Sequence, residues 1–123
     1  MQTSLAEFSH FGDTCVADVR SEIDISNADL FEAGLSDVPG SVSSKLVIGL
    51  TDCPYIDSSG LRVLIRLANA LGPRLAVVAG RGSHARRLIE VAGLAQAMSV
   101  HDSLNPALAS LAAPVESQGS PAG

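Results

Sequence analysis

Residues 13–20 read D-T-C-V-A-D-V-R, with apolar Cys15, Ala17 and Val19 alternating with their neighbours. That period of two predicts a strand with one buried face. The stretch before it, residues 2–10, has no clear period and reads as no more than a candidate edge strand. Next, Ser26 or Asn27 can cap a helix whose apolar Leu30, Phe31 and Leu35 fall at helical spacing. Pro39, Gly40 and the serines that follow break it. Residues 45–50, K-L-V-I-G-L, form a short apolar run, the mark of a central strand covered on both faces. Residues 61–71 then place Leu61, Leu64, Ile65, Ala68 and Leu71 on one helical face, and Gly72-Pro73 ends that helix.

Residues 74–79, R-L-A-V-V-A, are a further buried strand. Ser83 caps a helix over 85–91 that Gly93 stops, residues 96–100 read as a short strand, and Asp102 or Ser103 opens a last helix to Ala112. From Lys45 on, strands alternate with helices, a pattern that builds right-handed crossovers and a largely parallel sheet. The expected class is an α/β sandwich formed by one domain over residues 1–112. The tail 113–123, rich in small residues and Pro, is expected to be disordered.

Composition narrows the function. The chain is 46% hydrophobic but only 3% aromatic, with no Trp and a net charge of −5. Binders of single-stranded nucleic acid need stacking rings beside basic residues, so nucleic acid is not an expected partner. The charge is unevenly placed. Residues 1–57 carry ten acidic residues against Arg20 and Lys45, a net −8, whereas residues 58–123 carry six Arg against three acids, a net +3. Such a dipolar chain suits steering toward a charged protein partner and equally suits a surface with no function.

Cys15 and Cys53 are too few and too far apart for a zinc motif or a redox pair, and are expected to be reduced, semi-buried thiols. No basic segment followed by an apolar run opens the chain, and no apolar run reaches the roughly 20 residues of a membrane helix. The expectation is a cytoplasmic protein without membrane association.

The segment with most chemical content is Asp57-Ser58-Ser59-Gly60-Leu61, between a buried strand and an amphipathic helix. Asp57, Ser58 and Ser59 are all good N-cap residues, and capping alone would explain them. Two adjacent hydroxyls exceed what a cap requires, however. Gly60 in the first turn costs roughly 1 kcal/mol relative to Ala, which is easier to understand if something approaches the backbone closely there. The polar stripe Ser58, Arg62, Arg66, Asn69 leaves the serine-bearing end exposed. A phosphate on Ser58 would add about −1.5 to −2 charges at a helix N-terminus, where the dipole tolerates them. Its effect would act outward, on a docked partner.

Other chemistries fare worse. No G-x-S-x-G nucleophile elbow is present. His10, His84 and His101 are scattered and read as surface residues, not as catalytic or metal-binding groups. The Gly80-Arg81-Gly82-Ser83 turn lacks the spacing and Lys of a phosphate loop. Arg86, Arg87 and Glu90 read as a solvated helix face. No catalytic residue, metal site or cofactor is expected, and the protein is not expected to be an enzyme.

At this point the residues resemble a known family. D-S-S-G-L at 57–61, after an apolar strand, is similar to the phosphorylation loop of STAS-domain anti-sigma factor antagonists. S-E-I-D at 21–24 resembles that family's G-E-L/I-D, with Ser21 in place of the family Gly. A-R-R-L-I-E-V-A-G-L at 85–94, then Val100 and Ser103-Leu104, fits its C-terminal half, so the resemblance spans roughly residues 13–112.

The resemblance implies a STAS-like sandwich: a four- to five-stranded mixed sheet with helices mainly on one face. It implies Ser58 as phosphoacceptor, with Asp24 close by and a partner-binding surface of Asp24, Asp57, Ser59, Gly60 and Arg62. Arg62 is also placed to fold back onto a phosphate at Ser58. In this bacterial family the unphosphorylated antagonist binds an anti-sigma factor, itself an ATP-dependent serine kinase, and so releases the sigma factor. Phosphorylation ends the interaction and a metal-dependent, PP2C-type phosphatase restores it, within transcription regulation of stress response or sporulation. The resemblance also covers STAS domains that act as non-cycling scaffolds or subunits of regulatory or transport complexes. From a different class, a nucleotide-binding or weakly hydrolytic domain would use the turns near Asp24 and Ser58.

Overall fold

A computed structural model describes residues 5–37 and 45–112. The expected helix break at Pro39-Gly40 and the tail at 113–123 lie outside them. The chain opens with β1 (Ala6–Phe11) and β2 (Thr14–Val19), followed by α1 (Ala28–Asp37) and β3 (Lys45–Gly49). Next come α2 (Ser58–Leu71), a 3-10 turn (Gly72–Arg74) and β4 (Leu75–Val78), and last α3 (His84–Val91), β5 (Ser99–His101) and α4 (Leu104–Ala112).

The five strands lie in the order β1-β2-β3-β4-β5. Only β1 and β2 pair antiparallel, joined by a two-residue hairpin whose first residue, Gly12, has φ of 63°. The pairs β2–β3, β3–β4 and β4–β5 are parallel. The mixed, five-stranded sheet expected by resemblance is therefore present, and its candidate edge strand is β1. Because β2, β3 and β4 run the same way, the loops that follow them emerge side by side at one end of the sheet.

Strand alternation sorts the core into two layers. Cys15, Ala17, Val19, Leu46, Ile48, Leu75 and Val77 join the buried faces of α1, α2 and α3 in the larger core. Val16, Val47, Ala76 and Val78 face the other way, against Ala107 and Leu111 of α4. Three helices thus cover one face and one helix the other. The expectation of a single buried face for β2 is corrected here: Val16 is buried too, beside the cluster that α4 closes.

Two further expectations change. On α2 the buried residues are Leu61, Val63, Leu64, Leu67 and Leu71, with Ile65 and Ala68 only half-buried at the rim. Packing against a sheet and a neighbouring helix buries a wider arc than one stripe. On α1, Phe31 and Leu35 are buried but Leu30 is exposed, and the Asn27 amide points back, donating to the Glu22 carbonyl and accepting from the Asp24 N–H. By contrast, Gly72 caps α2 at positive φ, and the Ser83 hydroxyl accepts from Arg86 N–H at the start of α3, both as expected.

The solvated face expected for α3 holds for Arg87 and Glu90 but not for Arg86. Arg86 is only 19% exposed in its side chain; its guanidinium donates to the Ala79 carbonyl (2.8 Å) and to Asp102 Oδ1 (2.6 Å), and pairs with Glu90. Arg81 reaches the same carboxylate at 3.2 Å. The hydrogen bond from Arg86, with the charges of Arg81 and Arg86, holds Asp102 below the ordinary carboxylate range. A carboxylate depressed in the folded state contributes stability above its unfolded pKa of about 4 and loses it as pH falls through the folded value. Asp102→Asn should therefore lower the melting temperature at pH 7, and the difference from wild type should shrink steadily below pH 4 in thermal scans across pH.

Candidate functional site

The N-terminus of α2 lies at the end of the sheet where β2, β3 and β4 finish. After β3 the chain turns through residues 51–57, and that passage is fixed by a parallel bridge between Ile23 and Ile56. The Ile23 N–H donates to the Tyr55 carbonyl (2.8 Å) and the Asp57 N–H to the Ile23 carbonyl (3.1 Å). Ile23 and Ile56 are both buried, so the rung is a short extension of the sheet past the regular strands. Asp24 and Asp57 each follow a bridged isoleucine, which brings together two acids 33 residues apart in sequence.

Asp57 is the N-cap of α2. Its Oδ1 accepts from the N–H groups of Ser59 (2.8 Å) and Gly60 (3.3 Å). Capping thus belongs to Asp57, which frees the serines from that role. Ser58 is exposed, and among the described residues its hydroxyl has no hydrogen-bond partner. Ser59 is half-buried and contributes its amide to the cap. Arg62, one turn above Ser58, is exposed and has no ion-pair partner among the described residues. Arg66, on the same stripe, is engaged: it forms a two-point pair with Glu32 of α1 at 3.0 and 2.7 Å.

Asp24 is half-buried, and its Oδ1 accepts from the Ser26 hydroxyl (2.5 Å) and the Ser26 N–H (2.9 Å). These bonds hold its carboxyl below the ordinary range, so it is ionised at neutral pH. Ser21 replaces a family glycine, but among the described residues positive φ occurs only at glycines, so the turn it occupies requires none. Its carbonyl faces the thiol of Cys53 at 3.2 Å.

Gly60 does meet the close approach expected of it, because a Cβ there would overlap Cγ1 of Ile56 and lie 3.0 Å from Cγ2 of Ile23. Its place in the exposed partner surface is corrected, since the residue is buried. The glycine lets α2 settle onto the bridged isoleucines, and the approach is internal. Two residues were missed by sequence reasoning. His84, expected as a surface residue, is exposed but places Nε2 3.1 Å from the Ile56 carbonyl, and its ring stacks on Tyr55 with centroids 5.1 Å apart. Nothing in the spacing of residues 55 and 84 signals this; only the adjacency of β3 and β4 does.

Elsewhere, Cys15 and Cys53 are free and fully buried rather than semi-buried, and burial pushes both thiols up. Among the described residues no group of His, Cys, Asp and Glu could hold a metal ion, and no helix is long and apolar enough to cross a membrane. The Gly80–Ser83 turn closes on itself, with Ser83 N–H on the Gly80 carbonyl and Gly80 N–H on the Thr51 hydroxyl.

The family model for the STAS domain matches residues 6–107, and the chain belongs to the STAS-domain family. A curated relative, the anti-sigma-F factor antagonist RsfB of Mycobacterium tuberculosis, is 30% identical over 94 residues, covering 76% of this chain and 77% of its own. An anti-sigma factor antagonist from Mycobacterium paratuberculosis superposes with a TM-score of 0.77 at 27% identity, over 86% of this chain and 92% of that one. A putative anti-sigma factor antagonist from Thermotoga maritima gives 0.75 at 19% identity, over 86% and 93%, and shares the fold.

The site divides into residues that hold it and residues it presents. Asp57→Ala should cost about 1 kcal/mol through loss of the cap. Gly60→Ala should cost about 1–3 kcal/mol through overpacking. Ser58→Ala should stay within about 0.5 kcal/mol of wild type, as an exposed site without partners. Urea denaturation of the three variants checks the order.

Proposed function

We propose that this protein is an anti-sigma factor antagonist whose Ser58 is a phosphorylation switch. Unphosphorylated, it binds an anti-sigma factor that is also a serine kinase, and so frees the sigma factor. Phosphorylation of Ser58 by that kinase ends the interaction, and a PP2C-type phosphatase restores it. The exchange takes place in the cytoplasm, where ATP and the transcription machinery are. The single observation that carries this reading is the exposed Ser58 hydroxyl, without a partner among the described residues, beside a cap already supplied by Asp57. The family and the relatives named as antagonists support it.

The physics of the switch follows from what surrounds the hydroxyl. A phosphate adds about −1.5 to −2 charges. The helix dipole offsets part of that, by roughly 0.3–1 kcal/mol, so the fold survives. The Ser59 and Gly60 amides are already bonded to Asp57, so they give the phosphate little further satisfaction. Asp24 and Asp57 make the tip acidic before modification, and the new charge deepens it. Like charges brought together at an interface cost several kcal/mol, enough to weaken binding by roughly 100-fold or more. The partner surface comprises Asp24, Asp57, Ser59 and Arg62 around Ser58, with Gly60 acting beneath them through the packing of α2. Arg62, exposed and without an ion-pair partner among the described residues, stands one turn above Ser58 and would soften the repulsion.

The test is incubation with ATP and the cognate anti-sigma kinase, with the phosphate located by mass spectrometry. The expected result is one phosphate at Ser58, absent in Ser58→Ala, and a Ser58→Asp variant bound more weakly than wild type. A protein that is left unmodified yet binds a larger assembly would instead be a non-cycling STAS subunit. Nucleotide hydrolysis by the isolated protein would point to the enzymatic alternative.

A further inference from the structure

We propose that His84 is a positioning residue for the switch segment: its imidazole holds the Ile56 carbonyl and so fixes the stretch from which Asp57 and Ser58 emerge. The kinase readout below rests on the function proposed for Ser58; the exchange readout does not.

The backbone at Ile56 has two sides. On the side of β2, the Tyr55 carbonyl and the Asp57 N–H are both taken by Ile23. In a parallel bridge the central residue's own carbonyl points the opposite way. For Ile56 that direction is toward the loop after β4, where His84 meets it at 3.1 Å. A carbonyl only accepts, so Nε2 carries the hydrogen whether or not Nδ1 is protonated. The switch segment is thus gripped from both neighbouring loops, by main chain on one side and by one side chain on the other.

His84 is itself held. Tyr55, 44% exposed, stacks on the imidazole at an interplanar angle of 28° and covers one ring face. The backbone at 84 is fixed by the Ser83 cap, and the first turn of α3 is tied to the Ala79 carbonyl and Asp102 through Arg86. A side chain presented from such an anchored turn can transmit its position to the carbonyl it holds. Ile56 is 1% exposed with the imidazole in place, and water admitted by removing the ring could bond the carbonyl but, unlike a side chain anchored in α3, would not fix its position. The segment would then lose its restraint on that side, and Asp57 and Ser58 follow directly.

Three proteins decide the matter: wild type, His84→Ala, and His84→Gln, which keeps an N–H donor at similar reach. Amide hydrogen exchange followed by NMR should show Ser59 and Gly60 exchanging about tenfold faster in His84→Ala and near wild type in His84→Gln, with Val47 and Ile48 unchanged in all three. With the anti-sigma kinase, His84→Ala should lower kcat for Ser58 phosphorylation about tenfold at nearly constant KM, since a misplaced acceptor is bound but poorly aligned. His84→Gln should recover most of that loss. Equal exchange at Ser59 and Gly60 in all three proteins overturns the proposal, as does a loss of protection spread over the whole sheet or a Gln variant no better than Ala. If the wild type takes no phosphate at all, the switch reading fails, and the exchange data alone decide the role of His84.

Discussion

One rung of parallel pairing, between Ile23 and Ile56, sets the geometry on which everything else at this end of the sheet depends. The regular strands β2 and β3 stop before it, and without it the loops after them would keep no main-chain pairing with each other. With it, the chain enters α2 from a fixed direction, Asp57 lands in the capping position, and the next side chain, Ser58, is left in solvent. The rung also explains Gly60, because only a residue without a side chain can sit over two bridged, β-branched residues at that distance. Local order at the tip is thus a consequence of packing beneath it.

That arrangement separates two tasks that one serine would otherwise combine. The carboxylate of Asp57 satisfies the helix amides, and the hydroxyl of Ser58 is free for chemistry. In the proposed switch, esterifying Ser58 would remove no structural bond, and the altered charge would be felt by what docks there. The arginines show the same division. Arg66 and Arg86 are consumed in joining elements, one to Glu32 of α1 and the other to Asp102 beside α4, whereas Arg62 remains available at the surface.

How much of this was legible in the sequence depended on range. Caps and stops are decided within a few residues, so Ser83, Gly72 and the start of α2 could be read directly. The resemblance of D-S-S-G-L to a family loop pointed to Ser58, that of S-E-I-D to a second family motif pointed to Asp24, and the fold places both at one end of the sheet. What failed was long-range. What approaches Gly60 could not be read, because Ile23 and Ile56 are 33 residues apart and their meeting is a property of the sheet. Arg86 looked solvated because Asp102 arrives from beyond β5. His84 looked incidental because Tyr55 and Ile56 lie on a different crossover. On α2, Val63, Ile65 and Leu67 are all apolar, and which of them is covered depends on the neighbouring elements that share the face, which a helical period does not show.

The central claim is that modification at Ser58 changes what the surface repels while the domain beneath stays as it was. Its most direct measurement is a pair of backbone NMR spectra, of the unmodified and the phosphorylated protein, recorded beside the affinity of each for the anti-sigma factor. Amide shifts are expected only in the three loops at the end of β2, β3 and β4 and the first turn of α2, together with a loss of affinity of roughly 100-fold or more. Shifts spread through β3 and β4, or an affinity that phosphate leaves unchanged, would contradict the claim.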